Sequence, residues 1–156
     1  LGNAFVIYQG HHGDAGAHKA SIIFPSAAYT EQNGIFVNTE GRIQLAKRAA
    51  FPPGEAKEDW AILRALSGEL GTPLPYDTRD ALLRALQETN DAFLAIDTVE
   101  PAAWGEFGTE GALDAAAFSS PISNFYMTDP ISRASETMAK CVEEILGTAE
   151  ATGTDG

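Results

Sequence analysis

Two clusters of residues in this chain have the types and spacing of a chemical site. The first is Gly10-x-x-Gly13-x-x-Gly16, interleaved with His11, His12, Asp14 and followed by His18. Glycines placed after a strand let backbone amides approach an anion, typically a phosphate. The second is Asn38-Thr39-Glu40-Gly41-Arg42, which sets a carboxylate and a guanidinium around one turn, with Lys47 and Arg48 following. That pair could orient a charged substrate, and an anion could dock on Arg42, Lys47 and Arg48. Each has a plainer counterpart. The loop has neither the Gly-x-Gly-x-x-Gly spacing nor a following Gly-Lys-Ser/Thr, and glycines at strand ends often serve only a positive φ. Glu40 and Arg42 can simply pair with each other, or anchor the turn to a neighbouring domain.

The remaining reactive residues point away from catalysis. Adjacent His11 and His12 face different directions, and His18 lies seven residues beyond His11 with only Asp14 as a nearby carboxylate, so a zinc site is disfavoured. Cys141, the single cysteine, falls at helical spacing from Met138 and Ile145, the setting of a packing thiol. One cysteine excludes an internal disulfide and a self-contained four-cysteine cluster, and fits a reducing compartment. Ser26, Ser119 and Ser120 lack a Gly-x-Ser-x-Gly context, and no triad emerges.

The elements that must position these residues read as follows. Ala4–Tyr8 is a strand that runs into the glycines, a short helix follows, and Ser21–Phe24 is a second strand ending at Pro25, the outline of a βαβ crossover. Residues 35–38 and 42–46 are two further strands joined through Thr39-Glu40-Gly41. Pro52-Pro53-Gly54 breaks the pattern, and from Glu55 to Leu70 the apolar positions Trp60, Leu63, Leu66 and Leu70 make one buried helical stripe. Gly71, Pro73 and Pro75 stop that helix, and Thr78 caps the next, with Asp80 in its first turn and Leu82, Leu83 and Leu86 inward. Residues 90–130 are irregular but studded with aromatic rings, among them Trp104, Phe107, Phe118 and Phe125, which are expected to clamp this stretch onto the α/β body. Asp129 then Pro130 begin a final helix with Ile131, Ala134, Met138, Val142 and Ile145 on one face and Gly147 at its end; residues 148–156 read as a frayed tail.

With 156 residues, 44 % apolar and 21 % charged, the chain has the composition of a globular protein with room for one core. Its net charge of −12 is uneven: residues 1–50 carry +1 and residues 51–156 carry −13. An acidic second half repels phosphate backbones and anionic headgroups, so nucleic acid and charged membrane surfaces are poor partners. No apolar run approaches the roughly 20 residues of a membrane span, and no basic stretch leads an apolar segment as in a signal peptide.

A family resemblance rests on these same residues. Tyr8-Gln-Gly-His-His-Gly-Asp-Ala-Gly-Ala17, Pro25-Ser-Ala-Ala-Tyr-Thr-Glu31, Val37-Asn-Thr-Glu-Gly-Arg42, Pro53-Gly-x-x-x-Glu-Asp-Trp60, Leu74-Pro-Tyr-Asp-Thr78 and Phe125-Tyr-Met-Thr-Asp-x-Ile-Ser-Arg-Ala-Ser-x-Thr-Met-Ala-Lys-Cys141 resemble the C-terminal part of the large iron–sulfur subunit of NADH–quinone oxidoreductase, respiratory complex I. The likeness runs from about residue 4 to residue 146, and the block at 125–141 is its most specific part. The first 50 residues also resemble the wider molybdopterin oxidoreductase superfamily, where this region lies near the cofactor.

The resemblance implies an α/β fold: residues 1–54 as the terminal part of a molybdopterin-oxidoreductase-like domain (βαβ plus hairpin), 55–92 as a helical segment, 93–147 as a mostly helical extension ending in a helix, and 148–156 as a flexible tail. It implies a scaffold role with no catalytic, cofactor-binding or metal-binding residue in this segment, the 4Fe-4S and 2Fe-2S clusters belonging to a preceding part of the subunit. Expected partners are that preceding part and other peripheral-arm subunits, with no direct membrane insertion. The expected location is the cytoplasmic face of a bacterial inner membrane or the matrix face of the mitochondrial one. Two alternatives stand beside it. One is a molybdopterin-type oxidoreductase fragment holding an anionic cofactor through Gly13 and Gly16 of the Gly10–Gly16 loop, Asn38 and Arg42. The other is a free-standing binding module, monomeric and without a large exposed apolar patch.

Overall fold

The alternation of short apolar runs with glycine and proline produces four strands of four residues each in the first 46 positions. In a computed structural model that describes residues 2–99, 101, 103–106, 108–112 and 114–147, strand β1 (Ile7–Gly10) pairs in parallel with β2 (Ile22–Pro25), Ile7 opposite Ile22 and Gly10 opposite Pro25. Both strands lie later along the chain than the hydrophobic runs suggested. Pro25 is tolerated at the end of the ladder because the following amide, Ser26 N, donates to Gly10 O at 3.0 Å, while the Pro25 carbonyl accepts from Lys57 N at 3.2 Å. The crossover holds a three-residue 3-10 turn, Ala17–Lys19, where a full helix would make a standard βαβ unit. Strands β3 (Gly34–Val37) and β4 (Ile43–Ala46) form an antiparallel hairpin, Val37 opposite Ile43.

The hairpin loop is set by its own residues. Asn38 Oδ1 accepts the amides of Glu40 (3.1 Å) and Arg42 (2.9 Å), and Gly41 takes φ +81°, which a Cβ would strain. The outer edge of β4 is closed by Asp97, whose amide donates to Ile43 O at 2.8 Å and whose Oδ1 accepts Leu45 N at 2.9 Å. Asp97 adopts φ +60°, a left-handed conformation that aspartate tolerates better than most residues. A free strand edge is thereby capped without a third strand.

Helix α1 spans Asp59–Glu69, not the expected start at Glu55, because Lys57 is drawn into a parallel bridge with Ser26. It ends where Gly71 turns left-handed at φ +77°. Helix α2 (Arg79–Thr89) is capped by Thr78, whose Oγ1 accepts Ala81 N at 3.2 Å. The inward residues Leu82, Leu83 and Leu86 line a cavity of about 240 Å³ with Trp60, Ile35 and Leu45. The expected buried stripe of α1 is only partly so: Trp60 and Leu66 are half-buried, while Leu63 and Leu70 are exposed.

Beyond residue 100 the helical content among the described residues is confined to α3 (Pro130–Arg133), α4 (Glu136–Cys141) and a π-helical turn, Val142–Leu146. The extension is thus less helical than expected, and its final helix is broken. Ser135 leaves helical geometry (φ −95°, ψ 117°) and caps α4 by accepting Met138 N at 3.4 Å, so the capping that starts the second helix interrupts the first. Asp129 accepts from Ile131 N (2.8 Å) and Ser132 N (3.0 Å) to start α3, and Gly147 closes the last turn at φ +68°. Val142 is wholly buried, whereas Ile131 and Ile145 of the same periodic face are exposed.

The chain gathers into two compact units, one from residues up to 11 together with 19–99, the other from 12–18 together with the described residues between 101 and 147. The core of both is small. Among the described residues the buried apolar side chains are Ala17, Ala27, Ala28, Ile43 and Val142, while both strands of the parallel pair present exposed isoleucines (Ile7, Ile22, Ile23) and the hairpin exposes Phe36, Val37 and Leu45. Of the rings expected to form a clamp, Trp104 is 89 %, Phe118 109 % and Phe125 76 % exposed. Phe107 and the tail at 148–156 lie outside the described residues.

Candidate functional site

The three glycines of the first cluster do not share one setting. Gly10 closes β1 in the first unit, and its carbonyl accepts Ser26 N at 3.0 Å. A Cβ there would meet the end of the Tyr8 ring at 2.7 Å, so a larger residue would have to push that ring aside. Gly13 and Gly16 belong to the second unit. None of the three has a positive φ, so left-handed geometry is not what selects glycine here.

The amides an anion would use are engaged by the chain itself. Asp14 Oδ1 accepts Gly16 N at 2.8 Å and Ala17 N at 3.4 Å, which caps the 3-10 turn. Its other oxygen, Oδ2, meets Arg133 at 3.4 Å across 119 positions of sequence. Hydrogen bonding by the Gly16 amide, then by Ala17 and Arg133, holds the Asp14 carboxyl below the usual carboxylate range. An ionised carboxylate thus already lies where a phosphate would have to sit.

The second cluster is committed in a similar way. Asn38 serves the hairpin loop, and Arg42 Nη2 lies 3.7 Å from Glu40 Oε2, both side chains well exposed. Arg42 and Glu40 also line a cavity of about 330 Å³ whose far wall is Ala92, Ala95, Thr98 and Val99. The basic patch expected of Arg42, Lys47 and Arg48 is split. Arg42 precedes β4 and Lys47 follows it, some five residues or roughly 17 Å of extended chain apart, and Arg48 lies over the Phe51 ring at 4.2 Å.

His11 and His18 are exposed and His12 is half-buried. Among the described residues no three His, Cys, Asp or Glu side chains gather as a metal site requires. Cys141 is half-buried at the end of α4. Ser26 is buried beside the Lys57 bridge, and Ser120 bonds around its local turn to Ile122. Of the residues a pterin cofactor would use, Gly16 N and Asn38 Oδ1 are already bonded and Arg42 lies beside Glu40, while Gly13 has open space around it.

The best-organised polar cluster was not singled out as a site by the sequence. Asp59, at the first position of α1, accepts Gln9 Nε2 at 2.6 Å on Oδ1 and Gln32 Nε2 at 3.0 Å on Oδ2. Beside it, Glu58 Oε2 accepts the Trp60 indole N–H at 2.7 Å and Glu58 Oε1 the Asn33 amide at 3.5 Å. These residues join β1, the 26–33 loop and α1 in the first unit. They include the Glu-Asp-Trp60 block of the resemblance, which was the only sequence signal for them. Every polar atom named here has a protein partner, so the cluster reads as a brace.

Comparison with known proteins agrees with the sequence resemblance. A family model described as molybdopterin oxidoreductase matches residues 2–69, and one described as the C-terminal region of the NADH-ubiquinone oxidoreductase G subunit matches residues 98–141. The mitochondrial NADH-ubiquinone oxidoreductase 78 kDa subunit of Candida albicans is 47 % identical over 151 residues, covering 90 % of this chain and 21 % of that protein. The same subunit of Neurospora crassa is 46 % identical over 147 residues, covering 89 % of this chain and 20 % of that protein. The NADH-quinone oxidoreductase G subunit of Rickettsia conorii is 45 % identical over 143 residues, covering 92 % and 21 %. The chain spans about a fifth of the length of these relatives. With both family models and all three relatives pointing the same way, the chain belongs to the family of the large (78 kDa or G) subunit of NADH–quinone oxidoreductase and matches its C-terminal portion.

Proposed function

We propose that this chain is a structural portion of the large iron–sulfur subunit in an NADH–quinone oxidoreductase, without a redox centre of its own. The assembly would pass electrons from NADH to quinone and move protons, with the 4Fe-4S and 2Fe-2S clusters held elsewhere in the subunit. Residues 1–54 would complete a molybdopterin-oxidoreductase-like domain, 55–92 would brace it, and 93–147 would form the extension. One observation carries this reading: strands and hairpin present wide apolar faces around a very small core, as a surface does when other protein covers it in the assembly. A free-standing module would not leave such faces to water. The polar groups that a cofactor would need being tied into turns and braces supports the same reading.

Among the described residues no helix is long and apolar enough to cross a membrane. That accords with a place in the peripheral arm, on the cytoplasmic face of a bacterial membrane or the matrix face of a mitochondrial one. The rival cofactor reading is left with Gly13, around which there is open space, and with Arg42 and its cavity. Metal analysis and pterin fluorescence on the full subunit decide between them. Iron without molybdenum or pterin is the expected result, and stoichiometric molybdenum refutes the proposal.

A further inference from the structure

Between Arg84 and Arg133 the chain has no lysine, arginine or histidine, while the stretch from Pro101 to Asp129 carries Glu106, Glu110, Asp114 and Asp129. Within that stretch the described residues form no helix or strand. Trp104, Phe118, Ile122 and Phe125 are exposed along it. The hydrogen bonds of Asp114 and Ser120 reach two residues along the chain, to Ala116 and Ile122, and shape local turns. Large rings spaced along an irregular, single-sign segment are the residues that dominate protein interfaces once desolvated.

From this we propose that residues 101–129 are a strap that docks onto a basic, apolar-grooved surface of another subunit in the oxidoreductase. The proposal deepens the function given above and rests on it. Charge selects the occupant: a second copy of this chain, at −12, would repel the strap, whereas a surface rich in lysine and arginine complements Glu106, Glu110 and Asp114. The family matches select it further. The superfamily's model ends at residue 69, and the strap lies in the part matched by the model named for the NADH-ubiquinone oxidoreductase. A segment matched by the model of that subunit, outside the range of the superfamily's model, fits a partner in the assembly better than the shared domain fold.

The test uses the intact purified complex carrying a photo-crosslinking benzoylphenylalanine at Trp104 or at Phe118 of the full subunit. The expected result is cross-links from both positions to lysine- or arginine-rich peptides of another subunit. Cross-links confined to the same subunit, to a second copy, or to none in an intact complex overturn the strap and leave the proposed function standing. Failure of the unmodified subunit to co-purify with NADH–quinone oxidoreductase overturns both. In a second arm, Glu106→Lys/Glu110→Lys/Asp114→Lys is expected to weaken retention of the cross-linked partner at least about tenfold at low salt. That difference should fade near 1 M salt, where the Debye length is about 3 Å. Retention unchanged at low salt refutes the electrostatic match.

Discussion

Replacing Asp59 with alanine tests the brace that organises the first unit. Asp59 offers its two carboxylate oxygens to Gln9 at 2.6 Å and Gln32 at 3.0 Å in a half-buried setting. Hydrogen bonds to a charged group contribute about 1.5–3 kcal/mol each, and because the site is partly open to water we take the low end, giving about 3 kcal/mol for the two. Loss of a negative charge from the first turn of α1 adds roughly 0.3–1 kcal/mol. With a urea m-value of about 1.5 kcal/mol/M the midpoint should fall by roughly 2.5 M. Trp60, whose indole donates to Glu58 at 2.7 Å, reports the transition by fluorescence once the exposed Trp104 is changed to phenylalanine. The sharper readout is a double-mutant cycle with Gln9→Ala, since the bond to Asp59 links only those two side chains; the coupling should be about 1.5 kcal/mol. A coupling below about 0.5 kcal/mol would mean that β1 and α1 are held by other contacts and that the brace is incidental.

Val142→Ala removes two methyl groups from the one large side chain that is wholly buried among the described residues. At about 0.8 kcal/mol per buried carbon, plus a cavity term, it should cost about 2 kcal/mol, read as loss of hydrogen-exchange protection at the α4 amides; a change under about 0.5 kcal/mol would show that this face is not sealed. Thr78→Ala removes the cap on Ala81 N and should destabilise α2 by about 1 kcal/mol, with Thr78→Ser restoring most of it in circular dichroism melts. Asp14 makes the stability pH-dependent. Its folded pKa is depressed, first by the Gly16 amide, so its contribution is complete above the ordinary carboxylate value of about 4 and is lost as pH falls through the lower folded value. The stability gap between the wild type and Asp14→Asn should therefore be flat above about pH 5 and narrow below pH 4; a gap independent of pH down to about 2 would show that folding does not depress the Asp14 pKa.

Features written in short windows of sequence appear where the residues placed them. Thr78, Gly71, Gly41, the Asp129-Pro130 start and Gly147 each act through backbone geometry and hydrogen bonds within a few positions, so their effect needs no distant partner. Periodicity likewise located α1 and α2, though α1 starts late because Lys57 is claimed by Ser26, thirty-one positions earlier. What only the tertiary structure decided involves partners whose meeting the residue types do not announce. The Tyr8 ring lies against Gly10, Asp14 meets Arg133, and Asp59 gathers Gln9 and Gln32. A glycine-rich loop looks alike in sequence whether its amides await a phosphate or already hold an aspartate. The difference lies in a carboxylate's position to within an ångström, and chain folding, not residue type, sets that position.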